Sequence, residues 1–283
     1  MKILGALRDL SSNIGRIGHD ASANTALMVE SIYRQRLSDH KNEFAKKYSR
    51  KYFSQADEDG ITLEILDRIR SVRPKCGKRF VEFGVGDGCE NNTLVLLSLG
   101  WTGSWFGGQD LAFNVDNSRS LRFHKSWIRS DSVISLYNQA LNDWSTSEFD
   151  MISLDLDGND YYFIESLLSH GARPPLFICE YNAIFPYGAN WKMKFDDNHQ
   201  WQGGNYFGAS LCSFVGLFSG FDYFLCACNP QTGVNAFFVR NEYKDLFPEI
   251  PERAEDIYAT PFNRLENRFA NRVTADFIRS IFE

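Results

Sequence analysis

An open, doubly wound α/β sheet of seven mostly parallel strands, preceded by a helical arm, is the architecture this sequence predicts. Three observations lead there. The apolar stretch Arg79-Phe-Val-Glu-Phe-Gly-Val-Gly-Asp-Gly88 reads as a buried strand running into a glycine-rich turn. Downstream, short β-type runs alternate with stretches of helical periodicity, the pattern of a mainly parallel sheet. Late in the chain, the turn Asn229-Pro-Gln-Thr-Gly233 joins two apolar runs and makes the last two strands antiparallel neighbours.

Residues 1–53 read as the arm. Leu4, Leu7, Leu10, Ile14 and Ile17 recur at helical steps, and a second helical stretch runs from Thr25 to Leu37. These helices are expected to pack on the main domain or to pair subunits into a homo-oligomer. The main domain covers residues 54–245. It opens with a helix over Ile61–Ile69, led by Asp57, Glu58 and Asp59. The first strand is Arg79–Gly84, followed by a helix over Asn91–Leu99. The second strand is Gly103–Gly107 and the third about Leu121–Ile128. A helix over Asp131–Trp144 follows, with Ser130 or Asp131 as its cap. The fourth strand is Phe149–Asp155, its helix Tyr161–Ser169, and the fifth strand Leu176–Tyr181. Residues 182–206 form an irregular segment rich in aromatics, Asn and Gly. A helix over Gly208–Ser219 leads to the sixth strand, Asp222–Cys228, and the seventh, Val234–Arg240. Residues 246–283 read as a C-terminal helical extension. The sum is a Rossmann-like domain whose ligands are expected at the carboxyl ends of its strands.

Composition bounds the function. The chain has 283 residues, 43% of them hydrophobic and 15% aromatic, enough for a sizeable core. Its net charge of -6 and lack of a long Lys/Arg run argue against a nucleic-acid partner. The one compact basic cluster, Lys46-Lys47 with Arg50-Lys51, reads as a solvated helix end. Six cysteines include no CxxC pair, which argues against a zinc cage. They are expected to be buried free thiols, with Cys226 and Cys228 on one face of a strand. No apolar run reaches the roughly 18 residues that span a bilayer. The start of the chain is soon interrupted by charge, so a cytoplasmic protein without a secretory signal is expected.

The glycine turn carries the first chemistry. Gly84, Gly86 and Gly88 allow the backbone to turn tightly and to approach a ligand closely. The spacing Gly-x-Gly-x-Gly differs from the Gly-x-Gly-x-x-Gly of dinucleotide sites. After the fourth strand comes Asp155-Leu-Asp-Gly-Asn-Asp160. Carboxylates this close repel one another unless a proton or a cation joins them. Asp155, Asp157 and Asp160, with Glu180 and Asn182 after the fifth strand, therefore read as oxygen ligands for a divalent metal. One Asp acting directly as general base, or a structural ion site, are the alternatives. His199 is either a base or an ordinary loop residue, among aromatics suited to sugar faces or to a lid. His124 reads as a satisfied core histidine.

The blocks Ser54-Gln55-Ala-Asp-Glu58-Asp59-Gly60-Ile61, Val81-Glu-Phe-Gly-Val-Gly-Asp-Gly88 with Glu90-Asn-Asn-Thr93, Asp155-Leu-Asp-Gly-Asn-Asp160, Cys179-Glu-Tyr-Asn182 and Gly233-Val-Asn-Ala-Phe-Phe-Val239, in this order, resemble one family. It is the class I S-adenosylmethionine-dependent methyltransferases. The closer resemblance is to a bacterial surface-polysaccharide-associated group near the FkbM-type sugar O-methyltransferases. The resemblance implies S-adenosyl-L-methionine as cofactor, with Mg2+ or Mn2+ assisting, and a glycan or small-molecule acceptor. It places the donor over Gly84, Gly86, Asp87, Gly88 and Asn92, with Glu82 accepting from its ammonium group. Gln109 or Asp110 would hold the ribose hydroxyls. Asp131 would meet the adenine or cap a helix. Gln55 and Glu58 would close over the donor or serve as cap and surface. Asp155, Asp157 and His199 would be catalytic, and Asp155, Asp157, Asp160 and Glu180 would hold the metal. A non-catalytic partner in glycan assembly and a nicotinamide-dependent oxidoreductase remain the competing expectations.

Overall fold

A computed structural model describes residues 22, 24–74, 76–261 and 279–281. The chain divides into two compact units, Met1–Asp39 and His40–Glu283. In the first, residues 24–39 form a helix, α1. The expected amphipathic helix around Leu4–Ile17, and most of the expected C-terminal extension, lie outside the described residues. The unit boundary falls after Asp39, ahead of the position that the sequence pattern suggested. Residues 40–53 belong to the larger unit because α2, Glu43–Tyr48, buries Phe44 and Ala45 in its core. Asn42 caps α2, and its amide Nδ2 donates to the Cys226 carbonyl at 2.9 Å.

The larger unit is built on a seven-stranded sheet with the order β3-β2-β1-β4-β5-β7-β6. The strands are β1 Arg79–Phe83, β2 Thr102–Gly107, β3 Leu121–Lys125, β4 Met151–Leu154, β5 Leu176–Glu180, β6 Tyr223–Cys228 and β7 Asn235–Arg240. The ladders among β1–β5 are parallel, whereas β7 is antiparallel to both β5 and β6. The closing hairpin thus turns back into the sheet, and β6 takes the edge. Helices α3 Glu58–Val72 and α4 Leu94–Ser98, with α2, cover one face. Helices α5 Val133–Asp143, α6 Asp160–Ser169 and α7 Leu211–Ser219 cover the other. Helix α8, Ala254–Ile257, follows a 3-10 turn at Asn241–Leu246. Period-two alternation accounts for the layering: Val81 and Phe83 enter one core, Phe80 the other.

Several boundaries differ from the sequence pattern, each for a local reason. β3 stops at Lys125 because its partner β2 ends at Gly107, so 126–128 leave the ladder. α4 starts at Leu94 because the amides of Asn92 and Thr93 are taken by Glu82. α7 starts at Leu211, where Ser210 accepts from Ser213 N–H, while Gly208 sits at φ +58°. Cys226 and Cys228 do not share a face. A bulge between Leu225 and Ala227 shifts the alternation, placing Cys226 in the α3 layer and Cys228 in the α7 layer. All six cysteines are free, but Cys89 is exposed, and Cys76 and Cys212 are half-buried.

The acidic start of α3 is interior. Asp59 Oδ2 accepts from the backbone N–H groups of Tyr52, Phe53 and Ser54 at 2.6–2.9 Å. Glu58 accepts from Ala56 N–H and from the side-chain amides of Asn229 and Asn235. Asp57 accepts from Gln231 N–H. This seam ties the α3 N-terminus to the β6–β7 turn. Burial, then the neighbouring Asp57, raise Glu58 to about 7. The folded protein therefore keeps a proton that the unfolded chain releases near pH 4.5. Stability is expected to fall as pH rises from about 4.5 to about 7 by up to roughly 3 kcal/mol from this group. Glu58→Gln should flatten that decline in denaturant unfolding curves taken across the window.

Candidate functional site

Strand order reverses between β1 and β4, and a cavity of about 360 Å³ opens at the carboxyl ends of the strands there. Its walls come from four successive strand ends and one roof. The glycine turn gives Gly84–Gly86, β2 gives Gly107–Gln109, the segment after β3 gives Ser126–Ile128, and the segment after β4 gives Asp155–Asn159. Asp197 and His199–Trp201 form the roof. The volume falls within the range of small-molecule sites, about 300–1,000 Å³.

Glycines set the floor. Gly84 lies at φ +96°, and a Cβ there would sit 1.5 Å from the Asp155 carbonyl oxygen. Only glycine lets the ends of β1 and β4 approach this closely. Gly86 has no atom within 4 Å of a Cβ position, so its backbone faces open space. Gly108 makes room for the Trp127 ring, which would lie 2.9 Å from a Cβ at that position. Trp127 and Trp201 flank the cavity and stay 48% and 43% exposed, which leaves flat ring faces at its edge.

Three carboxylates meet on one side. Asp155, Asp157 and Glu180 each bring an oxygen within 4.8 Å of the others. Burial, then Asp157 and Asp160, raise Asp155 to about 8. Burial raises Glu180 well above the ordinary carboxyl range, with Asp155 adding to it. The two titrate together, Glu180 partly offsetting the rise of Asp155 while Asp155 adds to that of Glu180. Glu180 Oε2 is buried with no hydrogen-bond partner. A buried carboxyl oxygen left unsatisfied is costly, and an all-oxygen set of this kind, once it has lost its protons, suits a hard divalent cation. The residues present thus fit the expected Mg2+ or Mn2+. Asp157 holds φ +54°, a left-handed backbone uncommon outside glycine, which turns its carboxylate beside Asp155. Burial raises Asp157 too, while His199 opposes that shift.

Asp160 does not join this group. Its two oxygens accept from Leu156 N–H at 2.7 Å and Gly158 N–H at 2.8 Å, which clamps the loop against the start of α6. The backbone amides already supply what a cation would have given. The Asn182 side chain likewise donates to the carbonyls of Asn205 and Phe207, fastening the irregular segment rather than completing a ligand shell.

His199 packs on the loop through Gly158, whose absent side chain leaves the imidazole only 2.7 Å from a Cβ position. Its Nε2 is buried and finds no hydrogen-bond partner among the described residues. The roof is clasped from below. Asn159 Nδ2 donates to the Asp196 carbonyl at 2.7 Å, and Asp196 N–H returns a bond to Asn159 Oδ1 at 3.2 Å. Asp197 accepts from both N–H and Oγ of Ser130. Asn159→Ala should release this clasp and speed hydrogen exchange at the Asp196 amide by roughly tenfold, with the core amides unchanged.

Gly84, Gly86, Gln109, Asp155, Asp157 and His199 thus line one cavity. The other anticipated residues stand outside its lining. Glu82 serves the protein itself: it accepts from Asn92 N–H, Thr93 N–H and Thr93 Oγ1, and Trp105 Nε1 donates to that same hydroxyl. Asn92 reaches the Ser153 hydroxyl. Asp87 accepts from Cys89 N–H, and Gly88 packs against Leu111 and Phe113. Asp110 pairs with Lys125 at 2.7 Å, which leaves Gln109 as the β2 residue at the cavity. Asp131 is exposed and does not cap α5, whose N-cap is Ser132. Gln55 is exposed and its carbonyl accepts from Lys51. His124 bridges Asp143 and Gln139; it is satisfied as expected, but half-buried at the sheet edge rather than in the core. Ser126, Trp127 and Asn159 are cavity residues that the sequence did not single out. No family model and no curated protein matches the chain.

Proposed function

We propose that this protein is an S-adenosylmethionine-dependent O-methyltransferase acting on a sugar hydroxyl of a surface-glycan precursor. The observation that carries the reading is the juxtaposition of the open glycine turn with Asp155 and Asp157 across one aromatic-flanked cavity, with Glu180 behind the lining and within reach of both carboxylates. Gly86 provides backbone open to a bound adenosyl compound, and Gln109 offers an amide for ribose hydroxyls. Trp127 offers a flat face, and Trp201 another from the roof.

When bound, S-adenosylmethionine supplies an electrophilic sulfonium methyl, and a divalent cation lowers the pKa of a hydroxyl held beside it. The protein's part is alignment and proton removal. Asp155, Asp157 and Glu180 would hold the cation. His199, or Asp157 where it is not engaged by the cation, would take the acceptor hydroxyl's proton. Asn159 and Ser130 hold the roof segment in place over the cavity.

A dinucleotide site is disfavoured on two grounds. The glycine turn does not open straight into a helix: α4 begins at Leu94 and is five residues long, too short to offer a pyrophosphate its N-terminus. The strand next to β5 is antiparallel, whereas the dinucleotide order is parallel throughout. Calorimetric titration with S-adenosylmethionine, S-adenosylhomocysteine and NAD separates the readings. The first two should saturate one site and NAD should give no binding heat; the reverse pattern would replace this proposal with an oxidoreductase.

A further inference from the structure

A second cavity, of about 550 Å³, lies at the opposite end of β1. Lys78, which immediately precedes β1, lines this one; Gly84, which follows β1, lines the other. The strand between them spans about 16 Å, so the two are separate sites. Four cations converge on the second cavity from separate segments: Lys47 of α2, Arg50, Arg70 of α3, and Lys78. Two carboxylates line it, Asp67 and Glu64, the latter sharing Arg68 with Glu249. Among the described residues, Arg50, Arg70 and Lys78 make no ion pair. Positive charge this concentrated is unexpected in a chain of net charge -6.

Two of the cations are held from behind. Arg50 N–H donates to the Asp57 carbonyl and Gly60 N–H donates to the Arg50 carbonyl, and a Cβ at Gly60 would lie only 2.7 Å from the Arg50 Cβ. Lys78 occupies a left-handed backbone at φ +53° and is pinned by Thr102 N–H. Apolar walls complete the site. Tyr52 is 59% exposed and Leu99 53% exposed at its edge, and Trp101 lies within it.

We infer that this basic cavity binds an organic diphosphate, its phosphates among Arg50, Arg70 and Lys78 and its organic group against Tyr52. Four cations against two carboxylates leave a positive surplus that the two to three negative charges of a diphosphate neutralise. The aromatic rim gives the attached group a surface that inorganic pyrophosphate would not use.

The test is calorimetric titration of the full chain with uridine 5′-diphosphate and, separately, with inorganic pyrophosphate, at about 0.1 M salt. Both should saturate one site, the nucleotide more tightly. Arg70→Ala with Lys78→Ala should weaken both by at least about tenfold. Tyr52→Ala should bring the nucleotide to the level of pyrophosphate. Lys47→Glu, on the exposed rim, tests the site without burdening the fold and should weaken both severalfold. Thermal unfolding midpoints close to wild type certify that each variant is folded. No saturation up to about 10 mM, or variants in the basic cavity that bind as wild type does, would overturn the proposal.

Discussion

Asp157→Asn is expected to lower methyl transfer by roughly a hundred- to ten-thousandfold while leaving S-adenosylhomocysteine affinity within about threefold. The choice of asparagine matters. Asp157 sits at φ +54°, a conformation that asparagine adopts with little strain and alanine does not. The variant therefore removes the charge and keeps the loop. Donor turnover, followed as S-adenosylhomocysteine release over a panel of sugar acceptors, measures the effect. Unchanged turnover would remove Asp157 from the proposed chemistry. The same carboxylates predict a stability signature independent of turnover. Mn2+ should raise the unfolding midpoint of the wild type and leave that of Glu180→Gln nearly unmoved, because the buried Glu180 Oε2 is the oxygen that lacks a partner.

Gly84→Ala should have the largest structural effect, a loss of about 4 kcal/mol or more, or failure to fold. The added carbon would lie 1.5 Å from the Asp155 carbonyl oxygen, and φ +96° is itself unfavourable for alanine. Relief would require parting β1 from the end of β4, which the parallel ladder at Phe83 and Leu154 opposes. Gly86→Ala is the matched control. It meets no atom within 4 Å, so stability should stay within about 1 kcal/mol, while the new methyl narrows the cavity floor and weakens donor binding. Denaturant unfolding and calorimetry on the two variants separate architecture from recognition within one turn. Equal stability losses would show that Gly86 is also structural.

The sheet was legible because buried parallel strands declare themselves as apolar runs and the glycine turn marks the first crossover. Its details depended on contacts that a single sequence does not display. The bulge that separates Cys226 from Cys228 exists only in the pairing of β6 with β7. Glu82 reads as a ligand-binding acid from its place in the turn, yet its oxygens are taken by amides ten and eleven residues on. Asp160 reads as one of a metal-binding run, but the loop folds so that its own N–H groups satisfy that carboxylate. The acids that do converge, Asp155, Asp157 and Glu180, were visible because they sit at adjacent strand ends, β4 and β5. Trp127 escaped notice because the apolar run of β3 continues past the point where its partner strand stops. The basic cavity was invisible for a related reason. Lys47 and Arg50 read as a solvated helix end until Arg70 and Lys78 are brought opposite them.

A crystal structure with S-adenosylhomocysteine and Mn2+ tests the central claim most directly. The account predicts the adenosyl group between the Gly84–Gly86 backbone and Trp127, the sulfur turned toward Asp157, and the metal on Asp155, Asp157 and Glu180. Saturating ligand with no adenosyl density in that cavity, or density bound elsewhere, would contradict it.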